Sequence, residues 1–219
     1  MYRGLRLMLF HMAASEQTRA GFVLAGGRSS RMGSDKAFLE FGGEPLLERA
    51  LAAVGAVCDR VMIVGDPAKF AHYEGSKKWA MIADIFPGCG PLGGIHAALA
   101  NSTAELNVMV AVDMPFVSAE LLAFLFAAAE KNNAIVTVPR AGKGLQPLCA
   151  VYRRDFAAVA EHALRAGRNK VDAAFSGVST YVIEASELEA AGFSERSFFN
   201  VNTPQDWMAA KGGDRPFSQ

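Results

Sequence analysis

Residues 24–36 read L-A-G-G-R-S-S-R-M-G-S-D-K and continue directly from the apolar run 21–25, which carries Phe22 and Val23. An apolar run that breaks into glycines and then into basic residues reads as a buried strand whose carboxyl end opens into a ligand-facing loop. Gly26 and Gly27 have no Cβ, so main-chain N–H groups there can come close to phosphate oxygens. Arg31 and Lys36 add positive charge from the same segment. A guanidinium can grip phosphate through two N–H groups, and an ammonium acts as a compact point charge. Ser29 and Ser30 offer further donors. The order is not the dinucleotide fingerprint, because G-x-G-x-x-G fails after Gly26, and it is not a Walker A loop, because Gly-Lys-Ser/Thr is absent. It is read as a third kind of loop, one that grips a nucleoside triphosphate.

Outward from this loop, short β-branched runs alternate with longer helical stretches, the pattern of βαβ units around a mostly parallel sheet. Strands are expected at 21–25, 60–64, 79–83, 106–112, 134–138, 147–152 and 180–183. The fully apolar run 106–112 belongs at the sheet centre. A helix over 45–55 opens on Pro45 and closes on Gly55, and another starts near Leu92. Ser118 caps a helix with Leu121, Leu122, Leu125 and Phe126 on one face. Residues 155–166 form an amphipathic helix, and a last helix starts near Thr203 with Pro204 in its first turn. The fold class is therefore α/β, three layers with helices on both faces of the sheet. One domain is expected over 20–211, with a frayed leader over 1–19 and a mobile tail over 212–219. The leader imitates a signal peptide only loosely, since His11 and Met12 interrupt its apolar part, and Met12 is an alternative translation start.

The 219 residues carry no net charge and are 51% apolar. No global field draws in nucleic acid or a membrane surface, so an anionic small molecule must be held by local groups. No apolar run reaches the roughly 18 residues that span a bilayer. Cys58, Cys89 and Cys149 are widely spaced and form no C-x-x-C pair, which suits a reducing cytoplasm. Cys89 is read as packing. The histidines His11, His72, His96 and His162 show no spacing that suits a metal or a catalytic pair.

A cleft for three phosphates calls for a divalent cation, and Mg²⁺ takes one or two carboxylates together with phosphate oxygens. Asp113 ends the apolar run 106–112 and precedes Met114, Pro115 and Phe116, so the chain turns where a carboxylate enters the crevice. Asp84 begins D-I-F-P-G-C-G-P-L-G-G-I, a stiff glycine- and proline-rich loop suited to wrapping a base or ribose. Near the end, F-F-N-V-N-T-P places Asn200 and Asn202 two apart, on one side of an extended segment. They read either as partners for a heterocycle or as an Asn-rich turn before a helix cap.

In their order, L-A-G-G-x-S-x-R-M-G-x-D-K, P-G-x-G-P-L-G-G, D-M-P-F, Q-P-L-C-A-V-Y and N-V-N-T-P resemble the molybdenum cofactor guanylyltransferase family over residues 21 to about 210. The resemblance implies a GT-A-like nucleotidyltransferase fold and transfer of GMP from GTP to molybdopterin carrying its metal, with Mg²⁺ as the cofactor and pyrophosphate released. It implies that Leu24, Ala25, Gly26 and Gly27 contact the nucleotide, that Lys36 holds its phosphates with Arg31 beside it, and that Asp84 also contacts the nucleotide. Asp113 is implied as the ligand of both nucleotide and Mg²⁺, and Asn200 and Asn202 lie on the pterin side. Arg31, Lys36 and Asp113 are then the catalytic candidates. Transient contact with molybdoenzymes or cofactor-insertion factors is a further implication. One departure stands out: the residue after the second long strand is often a nucleotide-touching asparagine, and here Val64 or Gly65 takes its place. That contact is expected to be absent or made by main chain. The rival readings are a molybdopterin cytidylyltransferase using CTP and a non-catalytic carrier of the cofactor. Gly26 after Ala25, with the segment 91–94, favours guanine over cytosine, and the presence of both Lys36 and Asp113 favours an enzyme.

Overall fold

The computed structural model describes residues 18–26, 35–71, 73, 78–142 and 144–212. The chain opens with strand β1 (Arg19–Leu24) and, from Lys36 to Phe38, makes one 3₁₀ turn. A two-rung hairpin, β2 (Glu40–Phe41) and β3 (Glu44–Pro45), turns through Gly42 and Gly43, both at positive φ, where a Cβ would be strained. Then follow α1 (Leu46–Gly55), β4 (Arg60–Val64), α2 (Pro67–Phe70), β5 (Ala80–Ile82) and α3 (Pro91–Ala100). The central strand β6 (Leu106–Ala111) leads to α4 (Ala119–Asn132), β7 (Val136–Ala141), β8 (Gly144–Leu145) and β9 (Cys149–Arg153). The remainder is α5 (Phe156–Arg165), α6 (Val171–Ala174), β10 (Thr180–Ile183), α7 (Ala185–Ala190) and α8 (Pro204–Lys211).

One sheet runs in the order β10-β7-β9-β6-β1-β4-β5, with β8 paired to β7. Side chains alternate across it. Val23, Ile63, Val108, Val110 and Val151 face a core closed by Leu47, Leu51 and Val54 of α1 and by Leu121, Leu122, Leu125 and Phe126 of α4. Phe22, Met62, Met109, Val138 and Tyr152 face the opposite core, closed by Leu92, Ile95 and Leu99 of α3 and by Phe156, Ala160 and Leu164 of α5. This is the expected three-layer arrangement, and every residue of β6 is buried. Gly21 is required by packing: a Cβ there would lie 2.0 Å from Val54 Cγ1.

Most neighbours are parallel, but β9 runs antiparallel to both β6 and β7. The cause is the connection. Helix α4 carries the chain over the sheet from β6 to β7 and leaves one strand's width open between them. From β7 the chain returns through the short β8 with no helix, and such a short link joins antiparallel strands. Arg19, expected at the end of the leader, is the first residue of β1, and the Thr18 carbonyl accepts from Leu106 N. Gly212, expected in the tail, caps α8 and donates to Met208 O. The expected proline at the start of α1 is Pro45, which pairs in the hairpin and serves as the N-cap. The short elements β2, β3, β8, α2, α6 and α7 leave no sequence period long enough to be read.

Candidate functional site

The strand ends that form the crevice lie in one row. Leu24 is in register with Val64 on one side and with Ala111 on the other, and Val64 is in register with Ile82. The residues just beyond this row stay tied to it: Ala25 N donates to Val64 O, Gly65 N to Ile82 O, and Val112 N to Leu24 O. Ala25, Gly65, Asp84 and Asp113 therefore emerge along one edge, at the carboxyl ends of parallel strands where α/β sheets bind ligands.

Lys36 and Asp113 meet at this edge. Lys36 Nζ lies 3.2 Å from Asp113 Oδ2 and donates to Asn202 Oδ1 at 2.7 Å. The two charged side chains keep only 16% and 19% of their exposure, so water screens the pair little. Three separate pieces of chain bring the groups together. Asp35 caps the 3₁₀ turn, its Oδ1 accepting from Ala37 N, and so sets the start of the turn that carries Lys36. Arg49 of α1 donates from Nε to Pro115 O at 2.7 Å and braces the turn after Asp113. The C-terminal segment is docked by Val201 N, which donates to the Asp113 carbonyl at 2.8 Å. A reciprocal cap then holds it, with Thr203 Oγ1 accepting from Asp206 N while Asp206 Oδ2 accepts from Asn202 N and Thr203 N.

The two asparagines part company. Asn202 reaches Lys36, whereas Asn200 turns its amide back onto its own chain and donates to Phe198 O at 3.1 Å. The expectation that both point to one side is corrected: the segment makes a local turn before the helix cap, and a strand's alternation does not apply to it.

On the other flank, Asp84 Oδ1 accepts from Phe86 N at 2.8 Å and starts the loop that Gly88 and Gly90 turn at positive φ. Burial is the main influence on Asp84 and raises its carboxyl pKa above the ordinary 3.8, against the Phe86 N–H and nearby His96, which lower it. Helix α3 presses directly on this carboxylate. A Cβ on Gly93 would stand 2.9 Å from both Asp84 oxygens and 3.0 Å from Phe86 O. Glycine at 93 is thus a demand of close approach, whereas a Cβ on Gly26 meets no described atom within 4 Å. Gly27, Arg31, Ser29 and Ser30 lie outside the described residues.

The absence of an asparagine after β4 has a physical counterpart. A Cβ on Gly65 would lie 3.2 Å from Phe70 Cε2 and 3.4 Å from the Ala25 carbonyl carbon. That tightness lets α2 sit against the start of the loop. A residue that the sequence did not mark meets the loop there: Lys69 Nζ is 2.8 Å from Ala25 O and 2.8 Å from Asp35 Oδ2. A lone lysine in D-P-A-K-F carries no motif, and only the D-P start of a helix was available as a signal. Burial pushes the Cys58 and Cys149 thiols up to about 12, which makes them packing groups rather than nucleophiles. Cys89 packs against the α3 and α5 core.

Residues 21–204 match the family model described as the MobA-like NTP transferase domain. The chain belongs to the MobA-like NTP transferase family. Among its relatives is the probable molybdenum cofactor guanylyltransferase of Pelotomaculum thermopropionicum, 38% identical over 191 residues, which cover 87% of this chain and 91% of that protein. The molybdenum cofactor guanylyltransferase of Desulfosudis oleivorans is 32% identical over 87% of this chain and 93% of its own. Of solved structures, the molybdopterin-guanine dinucleotide biosynthesis protein A of Archaeoglobus fulgidus superposes with a TM-score of 0.77 at 29% identity, covering 88% of this chain and 97% of that one. A 2-C-methyl-D-erythritol 4-phosphate cytidylyltransferase from Thermus thermophilus shares the fold, with a TM-score of 0.64 at 20% identity over 87% of this chain and 96% of that one. Among the described residues no helix of this family member is long and apolar enough to cross a membrane.

Proposed function

We propose that this chain transfers GMP from GTP to the terminal phosphate of molybdopterin carrying its metal, forming the guanine dinucleotide and releasing pyrophosphate in the cytoplasm. The observation that carries the reading is Lys36, whose ammonium stands between the Asp113 carboxylate and the Asn202 amide at the carboxyl ends of the parallel strands. Support for the choice of base and acceptor comes from the relatives, which bear the name molybdenum cofactor guanylyltransferase at 30% identity and above.

In the reaction, a terminal phosphate oxygen of molybdopterin attacks the α-phosphorus of GTP. The new P–O bond forms as the α–β bridging bond breaks, and the electron pair leaves with pyrophosphate. Lys36 and Arg31 neutralise the charge that grows on that leaving group. A phosphate monoester, with its second pKa near about 6, is already ionised at neutral pH, so no side chain has to remove a proton. Positioning and charge do most of the catalysis.

Asp113 is the carboxylate that would hold Mg²⁺. No group of three or more His, Cys, Asp or Glu side chains converges among the described residues, and one carboxylate suits a cation that takes its other ligands from substrate phosphates. Bound there, Mg²⁺ would supply positive charge to the phosphates. On the other flank, Asp84, the buried Ala25 and the exposed Gly26 are assigned to the nucleotide, and Asn202 is assigned to the acceptor beside Lys36.

Competition between GTP and CTP tests the reading. Purified protein given molybdopterin and equal GTP and CTP is expected to yield guanine dinucleotide. A clear preference for CTP would overturn the assignment of base, and tight molybdopterin binding with no pyrophosphate from either nucleotide would point to a carrier.

A further inference from the structure

We propose that Lys69 is a positioning residue for guanylyl transfer, a clamp that ties the Ala25 carbonyl to Asp35 and thereby holds Lys36 opposite Asp113. The proposal rests on the guanylyltransferase reading for its reaction, and on geometry alone for the clamp.

The clamp joins two points between which the whole glycine-rich segment runs. One is Ala25, immediately past β1. The other is Asp35, immediately before Lys36. Lys69 Nζ is 2.8 Å from each partner, and the Lys69 and Asp35 side chains keep 19% and 23% exposure. Asp35 uses both carboxylate oxygens: Oδ2 for Lys69 and Oδ1 for the Ala37 N–H that caps the turn. A shift of Asp35 therefore displaces the first residue of that turn, which is Lys36.

Lys69 is itself held from behind. Asp66 caps α2 through Ala68 N, and Phe70, fully buried, packs edge-on against Phe38 at 5.7 Å between ring centres. Phe38 also meets Tyr73 at 5.1 Å. Helix α2 and the Lys36 turn thus form one packed unit, and Gly65 is the residue without a side chain that lets this unit close on Ala25. An exposed lysine–aspartate pair contributes little to stability. This one is partly desolvated, and burial lowers the Lys69 ammonium pKa from its ordinary 10.5, so the contact is kept at an electrostatic cost. Such a cost fits a group whose task is to place another charge.

The test uses the full chain in three variants, Lys69→Met, Asp35→Asn and the two combined. Asn at 35 keeps an oxygen for Ala37 N and loses the charge that Lys69 meets. Amide hydrogen exchange without substrate reads the clamp: in Lys69→Met, exchange at Ala37 and Phe38 is expected to rise about tenfold, with Val108 to Val110 unchanged. Turnover reads its use: kcat is expected to fall between about ten- and hundredfold with KM for GTP changed less than about threefold. The double variant should lose less than the product of the single losses, as coupled partners do. If exchange and kcat stay at wild-type values in Lys69→Met, or if the losses multiply, the proposal is overturned. If Lys69→Met does not fold, Asp35→Asn alone decides by the same readouts. If the wild-type chain transfers no GMP, the functional reading fails and the exchange measurement still decides whether the clamp exists.

Discussion

Lys36 and Asp113 are separated by 77 positions in the chain, yet Lys36 Nζ sits 3.2 Å from Asp113 Oδ2. The parallel pairing of β1 with β6 sets Ala25 beside the start of the Asp113 turn, and the 3₁₀ turn capped by Asp35 returns Lys36 to that edge. A cation and an anion are thus held together where the triphosphate is proposed to bind, and Asn202 shares the cation.

Lys36→Met removes the ammonium and keeps most of the stem. Loss of one preorganised charge of this kind reduces kcat by about 10² to 10³. Lys36→Arg should not restore it, because a planar guanidinium does not reproduce a compact ammonium held between Asp113 and Asn202. Steady-state kinetics of pyrophosphate release check both.

Asp113→Ala is expected to abolish Mg²⁺-dependent transfer, a loss of at least about 10² in kcat. Near-wild-type turnover in that variant would remove Asp113 as the metal's carboxylate.

Asn202→Ala separates two roles for the C-terminal segment. Because Asn202 Oδ1 accepts from Lys36, the variant should lower kcat as well as acceptor affinity. A change confined to the KM for molybdopterin would leave Asn202 as an acceptor contact alone.

Gly93→Ala should gain about 1 kcal/mol of helix propensity and nevertheless weaken GTP binding. The added methyl would stand 2.9 Å from both Asp84 oxygens, so Asp84 must move. Calorimetric titration with GTP measures the outcome, and unchanged affinity would contradict the placement of Asp84 at the nucleotide.

Asp84 also sets a pH dependence. Burial, its largest influence, raises its pKa in the folded chain above the ordinary 3.8. A raised carboxyl contributes stability that is complete below the unfolded value and is lost as pH rises through the folded one. Ionised Asp84 therefore burdens the fold at neutral pH. Asp84→Asn, which keeps an acceptor for Phe86 N, should show a Tm advantage over wild type that is larger near about pH 7 than near about pH 4. Thermal melts at the two pH values check the sign.

Much of the scaffold can be read from residue order. The runs that became β1, β4, β6 and β10 are apolar and bounded by loop residues, and Ser118, Thr203 and Pro204 mark helix starts as caps and first-turn residues do. The direction of β9 was hidden, because alternation within a strand says nothing of the neighbour it joins. The Lys36, Asp113 and Asn202 side chains could each be singled out by residue type, but their convergence depends on sheet register. Lys69 could not be found at all: its partners are a main-chain oxygen 44 positions away and an aspartate that looks like an ordinary cap. Asn200 misled because its amide closes a local turn on Phe198.

Guanylyl transfer at the Lys36–Asp113 centre is read most directly from product formation by the purified chain given GTP, Mg²⁺ and molybdopterin. Pyrophosphate and molybdopterin guanine dinucleotide should appear in equal amounts in the wild-type chain and in neither Lys36→Met nor Asp113→Ala at a comparable rate. Absence of the dinucleotide from the wild-type reaction would overturn guanylyl transfer, and its formation at wild-type rate in both variants would remove Lys36 and Asp113 from the centre.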